Sequence, residues 1–133
     1  METSPKRILV VEDERFLRRV HEAGLKQRGF TVLTAADGEE GVRIARTEVP
    51  DLILLDLIMP RLQGFEVLRL LKADPVTSPI PVVVLSSLGS DGDIQAALKG
   101  GAVSYLIKNN LSVQELAAKV EEALAGRQSG SRA

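Results

Sequence analysis

Apolar residues recur along this chain in five short runs, Ile8 to Val11, Phe30 to Ala35, Leu52 to Leu55, Pro81 to Leu85 and Tyr105 to Ile107. Runs of this length with little polar alternation predict strands covered on both faces. Segments with helical spacing separate them. The first helix is predicted over about Glu14 to Arg28, with Phe16, Leu17, Val20 and Gly24 on one side, and Gly29 is its stop. A second helix begins near Asp37, whose spacing to Glu40 predicts a capping box, and ends before Pro50. The third spans about Phe65 to Ala73 with Leu68 and Leu71 facing inward, and the fourth spans Asp91 to Leu98 and terminates in Gly100-Gly101. In the fifth, Ser112 to Glu115 forms an S-x-x-E capping box ahead of a stripe of Val113, Leu116, Ala117, Val120 and Leu124. Strict alternation of strand and helix predicts an α/β fold, a doubly wound five-stranded parallel sheet with helices on both faces, because right-handed crossovers force each helix over the sheet.

The 133 residues suit a single domain. It is expected over residues 6–125, preceded by a short extension over residues 1–5. Residues 126–133 contain almost nothing apolar and are expected to form a disordered tail or the first part of a linker. A formal net charge of -1 argues against direct nucleic-acid binding. No cysteine is present, which excludes disulfides, thiolate nucleophiles and cysteine-based zinc sites. The N-terminus resembles neither a signal peptide nor a membrane span, so a soluble, cytoplasmic protein without membrane insertion is expected. His21, the single histidine, lies at the edge of the first helix's apolar stripe with no catalytic partner at a suitable spacing, and is expected at the surface.

The chemistry gathers where the strands end. Asp56 follows Leu52-Ile53-Leu54-Leu55, Glu12-Asp13 follow the first strand, Ser86-Ser87 the fourth and Lys108 the fifth. Ligands of open α/β sheets bind beyond these carboxyl ends. If the first and third strands are neighbours, three carboxylates converge, and uncompensated charges that close would repel one another. Such a cluster needs a cation. Carboxylate and backbone oxygens suit Mg²⁺, and hydroxyl and ammonium groups are phosphate donors.

These residues together, the acidic pair, Asp56-Leu57-Ile58-Met59-Pro60 with Gly64, Ser86 thirty residues beyond Asp56, and Gly101-Ala102-Val103-Ser104-Tyr105-Leu106-Ile107-Lys108, resemble the receiver domain of two-component response regulators, in particular stand-alone receivers like the chemotaxis regulator. The resemblance covers Lys6 to Leu124 and implies the family's flavodoxin-like (βα)5 fold, with strand order 2-1-3-4-5. It implies that Asp56 accepts a phosphoryl group from the phosphohistidine of a sensor histidine kinase or histidine phosphotransfer protein. Asp13, Asp56 and the backbone carbonyl of Ile58 would hold Mg²⁺, with Glu12 acting through water. Lys108 would pair with the phosphoryl oxygens. Ser86 and Tyr105 would switch, altering a surface at the fourth helix, fifth strand and fifth helix that meets a downstream protein target, and a phosphorylation-dependent dimer is compatible with this scheme.

Three positions depart from the family pattern or bear on its rate. Asn109 stands where the family usually has a cis-proline, so the Lys108–Asn109 bond either takes the non-proline cis form, costing about 2.5–4 kcal/mol, or is trans with the lysine held differently. Ile58 and Leu88 are apolar where hydrolytic water would approach, which implies a long-lived phosphoryl group. The protein is expected to be no enzyme beyond self-directed phosphotransfer and autodephosphorylation. The alternative within the fold is a phosphorylation-independent binding module. An aspartyl phosphatase would need a second acid two residues beyond the nucleophile, and Ile58 cannot transfer a proton. The cluster of Arg15, Arg18, Arg19, Lys26 and Arg28 reads as a solvated face, with partner docking as its functional alternative.

Overall fold

The computed structural model describes residues 4–59, 62–87 and 89–130. Five parallel strands, β1 (Arg7–Val11), β2 (Thr31–Ala35), β3 (Leu52–Leu55), β4 (Val82–Ser86) and β5 (Ser104–Ile107), form one sheet in the order β2-β1-β3-β4-β5. They alternate with α1 (Arg15–Gln27), α2 (Gly38–Glu48), α3 (Gly64–Ala73), α4 (Asp91–Lys99) and α5 (Val113–Gly130). This is the expected flavodoxin-like order.

Both sheet faces are dry. Leu9, Val11, Ile53, Leu55, Val82 and Val84 contribute to one core, where Val67, Leu68 and Leu71 of α3 and Ala97 of α4 are also buried. The alternate residues Ile8, Val10, Leu52, Leu54, Val83 and Leu85 pack with Leu25 of α1 and Leu116, Ala117 and Val120 of α5. Burial on both sides explains why polar residues are missing from most of β1, β3 and β4.

The caps follow the sequence. Glu115 N–H donates to the Ser112 hydroxyl at 3.1 Å while Ser112 N–H donates to Glu115 Oε1 at 2.8 Å, a reciprocal capping box. At α2, Asp37 accepts from Glu40 N–H at 2.9 Å, and Glu40 reaches back to Ala36 N–H at 2.7 Å. The end of α2 is less legible: Val49 takes φ 44°, a left-handed conformation that a β-branched residue adopts at a cost, immediately before Pro50 disfavours further helix. Helix α5 runs through Gly126 to Gly130, beyond the expected stop, and residues 131–133 lie outside the described residues.

One expectation about α1 fails. Phe16, expected on its inner side, is 70% exposed, whereas His21, expected at the surface, is buried to 8% exposure. The inner stripe is Leu17, His21, Gly24 and Leu25, with Val20 half-buried beside it, so the helix is rotated by about one position from the face that a phenylalanine would dominate.

Gly64 connects fold to site. A β-carbon there would lie 2.3 Å from Leu57 Cα and 2.5 Å from the Asp56 carbonyl oxygen, so α3 starts against the backbone that carries Asp56. Gly64 N–H also donates to the Leu57 carbonyl at 3.0 Å. Gly64→Ala is expected to lower stability by about 1–3 kcal/mol in urea denaturation, through a clash with backbone that cannot rotate away. An unchanged midpoint would show that α3 shifts freely.

Candidate functional site

Strand register builds the centre of the site. Because Val11 pairs with Leu55, the next residues of β1 and β3, Glu12 and Asp56, emerge side by side. Asp56 N–H extends the ladder to the Val11 carbonyl at 3.1 Å, and Glu12 N–H does so to the Ala35 carbonyl at 3.0 Å. Both side chains are nearly inaccessible, with Glu12 2% and Asp56 4% exposed. Asp56 Oδ1 accepts from Ile58 N–H at 3.1 Å, and Oδ2 accepts from Lys108 Nζ at 3.1 Å. The same ammonium lies 2.9 Å from Glu12 Oε1. Glu12 Oε2 accepts from Glu14 N–H at 3.1 Å.

Lys108 reaches both carboxylates from the start of a short 3₁₀ turn, Lys108–Asn110, and the described residues contain no cis peptide bond, so the Lys108–Asn109 bond is trans. Asparagine in place of proline therefore still permits the lysine to reach the site.

Burial pushes the Asp56 carboxyl up to about 6, and the nearby Glu12 charge adds to that rise; the Ile58 N–H and Lys108 oppose it. Burial alone would lower the Lys108 ammonium, but Glu12 and Asp56 hold it above its ordinary value. One ammonium thus serves more negative charge than it can balance.

Asp13, half-buried, completes the acidic group: Glu12, Asp13 and Asp56 each offer a carboxylate oxygen within 4.8 Å of the others. Hard oxygen donors, a shortage of positive charge and a half-open Asp13 suit Mg²⁺, which takes few protein ligands and keeps several waters. The N–H of Ile58 already bonds Asp56, which places that residue's backbone at the cluster, while its side chain is 49% exposed.

Ser86 ends β4, fully buried, and pairs in register with Ile107, the residue before Lys108. Its side chain hydrogen-bonds the Tyr105 phenol, and Tyr105 packs partly against the core; burial raises the phenol's pKa while the bond to Ser86 lowers it. The structure thus brings Glu12, Asp13, Asp56, Ile58 and Lys108 together and joins Ser86 to Tyr105. Leu88 and Pro60 lie outside the described residues.

The basic face of α1 divides into separate roles. Lys26 pairs with Glu22 at 3.0 Å, and Arg28 pairs with Glu121 of α5 at 2.9 Å. Arg15 and Arg19 are exposed, but Arg18 is half-buried and donates from one guanidinium nitrogen to the carbonyls of Glu12, at 2.8 Å, and Asp13, at 3.3 Å. The charge pattern alone does not single out Arg18 for such a contact; its one signal is a position just over a helical turn beyond the acidic pair. His21, on the inner side of α1, lines a cavity of about 220 Å³ with Leu17, Val20, Leu85, Lys108 and Leu116, and its Nδ1 has no hydrogen-bond partner among the described residues. Burial lowers its pKa.

Known proteins resemble this chain in sequence and fold. A family model described as the response regulator receiver domain matches residues 8–121. A probable transcriptional regulator, ycf27, of Cyanophora paradoxa is 41% identical over 124 residues, covering 93% of this chain and 50% of that protein. Response regulator PleD of Caulobacter vibrioides is 44% identical over 102 residues, covering 77% of this chain and 22% of its own length. This chain therefore spans half or less of these curated relatives. Among solved structures, a CheY-like response regulator receiver domain protein from Methanospirillum hungatei superposes with a TM-score of 0.87 at 27% identity, covering 96% of this chain and 99% of that one.

Asp56 sets a pH-dependent prediction. Its folded pKa of about 6 lies above the ordinary 3.8, so the folded state holds the proton more tightly and stability falls as pH rises from about 4 to about 6, the full deficit persisting above. Asp56→Asn removes that deficit, and without Mg²⁺ it is expected to stabilise the protein by about 1–3 kcal/mol at pH 8 and by little near pH 4. Chemical denaturation in EDTA at the two pH values measures this; a variant less stable at pH 8 would mean that the Lys108 pair outweighs burial.

Proposed function

This chain belongs to the response regulator receiver family, and on that premise we propose that Asp56 is its phosphoacceptor, taking a phosphoryl group from the phosphohistidine of a sensor histidine kinase or histidine phosphotransfer protein. The observation that carries the reading is the Asp56 carboxylate itself, buried beside Glu12 and held by one backbone N–H and one ammonium.

In the transfer, an Asp56 oxygen forms a bond to phosphorus as the phosphorus–nitrogen bond of the donor breaks, and the departing imidazole keeps the electron pair and takes up a proton. Ile58 N–H orients the carboxylate, and Lys108 can follow the charge from Asp56 Oδ2 onto the phosphoryl oxygens. Asp13, Asp56 and the Ile58 carbonyl would hold Mg²⁺, with Glu12 contributing through water. The ion supplies neutralisation of charge on the transferring group.

The Ser86–Tyr105 bond supports a switch. A Ser86 hydroxyl turned toward a phosphoryl oxygen withdraws from the Tyr105 phenol, and Tyr105 then repacks on β5 beside α4. The surface of α4, β5 and α5 carries the altered state to a downstream protein. This is signalling by a self-modifying switch, in a cytoplasmic setting. Among the described residues no helix is long and apolar enough to cross a membrane.

Intact-protein mass after incubation with acetyl phosphate and Mg²⁺ is expected to show one phosphoryl adduct on the wild type and none on Asp56→Asn. No adduct under conditions that label another receiver would instead favour a phosphorylation-independent binding module. The adduct is further expected to be long-lived, since the exposed Ile58 side chain offers no hydrogen bond to attacking water. Ile58→Asn, which provides one, should shorten its lifetime several-fold in a timed mass assay; equal lifetimes would place control of hydrolysis elsewhere.

A further inference from the structure

Arg18 differs from the other basic residues of α1 in where its charge is spent. Arg15 and Arg19, on either side of it, are exposed, whereas Arg18 is half-buried and turned back along the helix. Side chains of a helix lean toward its N-terminus, so a long residue in the first turns can reach the loop that precedes them. Arg18 Nη1 does so, donating to the Glu12 carbonyl at 2.8 Å and more weakly to the Asp13 carbonyl at 3.3 Å.

Those two carbonyls belong to neither helix nor strand. β1 has ended at Val11, and α1 begins at Arg15 behind its N-cap, Glu14. The two residues between carry the carboxylates of the acidic cluster, and their backbone conformation decides where the Asp13 side chain points. Three acidic residues, Glu12, Asp13 and the N-cap Glu14, precede this helix and offset the dipole's disfavour of a cation, yet the guanidinium's hydrogen bonds go to the Glu12 and Asp13 carbonyls. A guanidinium that bonds the backbone carbonyls of an acidic loop acts on the loop's conformation as well as on its charge.

We propose that Arg18 is a positioning residue, whose guanidinium fixes the Glu12–Asp13 backbone and thereby presents the Asp13 carboxylate to the divalent cation. This rests on the reading of the acidic cluster as a Mg²⁺ site. It also separates Arg18 from partner docking on α1, since a substitution there disturbs the cluster before any partner arrives; Arg15 and Arg19 report on docking without that confusion.

Charge and position make opposite predictions. Removing a positive charge near three carboxylates should by itself tighten cation binding. Losing the backbone clamp should weaken it. Titration of the full chain with MgCl₂ by calorimetry is therefore expected to show roughly 3–10-fold weaker binding for Arg18→Ala, partial recovery for Arg18→Lys, and no weakening for Arg19→Ala. Metal-free protein supplies an independent readout: hydrogen exchange of the Glu14 amide, which bonds Glu12 Oε2, should accelerate in Arg18→Ala and not in Arg19→Ala, with global stability close to wild type. Equal or tighter Mg²⁺ binding with unchanged Glu14 exchange would overturn the role of Arg18. Absence of Mg²⁺ binding by the wild type would overturn the cation-site reading and, with it, the presentation of Asp13 to a cation.

Discussion

The ammonium of Lys108 between Glu12 and Asp56 is the interaction on which the arrangement depends. The register of β1 and β3 leaves these carboxylates adjacent and almost fully buried, a placement that repulsion and desolvation both disfavour. Lys108 lies 2.9 Å from one and 3.1 Å from the other, arriving from the end of β5 across the sheet. The five-strand order is thus an electrostatic requirement as well as a packing solution. Without β5 at the edge beyond β4, Lys108 would not reach the pair.

One ammonium does not finish the task. Asp56 retains a carboxyl pKa pushed up to about 6, and Asp13 adds a further acidic group at the open side. The site is poised between insufficient charge compensation and close packing. Gly64 holds α3 against the Asp56–Leu57 backbone, so the carboxylate cannot relieve its environment by backing away. Such rigidity keeps the undercompensated charge in place, whereas a looser loop would let it relax into solvent.

Much of this is legible in sequence, for a physical reason. Strands buried on both faces, such as Leu52 to Leu55, carry little polar noise, so the acidic residue that ends each run stands out. Capping pairs such as Ser112 and Glu115 act over three residues and can be read locally. The features that escape depend on rotation or on contacts between helix and loop. Phe16 carries enough hydrophobicity to draw the expected face of α1 toward itself, although Leu17, His21 and Leu25 define the inner stripe. The basic cluster on the same helix looks uniform, yet Arg28 ties α1 to α5, Lys26 pairs within the helix and Arg18 turns to the acidic loop. Charge composition does not reveal these partners, because each depends on which way a long side chain leaves the helix. The left-handed Val49 is equally hidden, since propensity alone would not select a β-branched residue for that conformation.

The Ser86–Tyr105 bond limits how the site can communicate. Ser86 is fully buried, Tyr105 is partly so, and their polar atoms already satisfy one another. Breaking that bond without replacement would leave a buried hydroxyl unsatisfied, at a cost of about 1–3 kcal/mol. A phosphoryl oxygen on Asp56 would give the Ser86 hydroxyl a stronger, charged acceptor, so the cost arises only in the unphosphorylated state. In the proposed switch Tyr105, freed from that partner, repacks on β5. On the proposed reading, a modification confined to one carboxylate would shift a conformational equilibrium by the difference between two hydrogen bonds, an amount large enough to change populations and small enough to reverse.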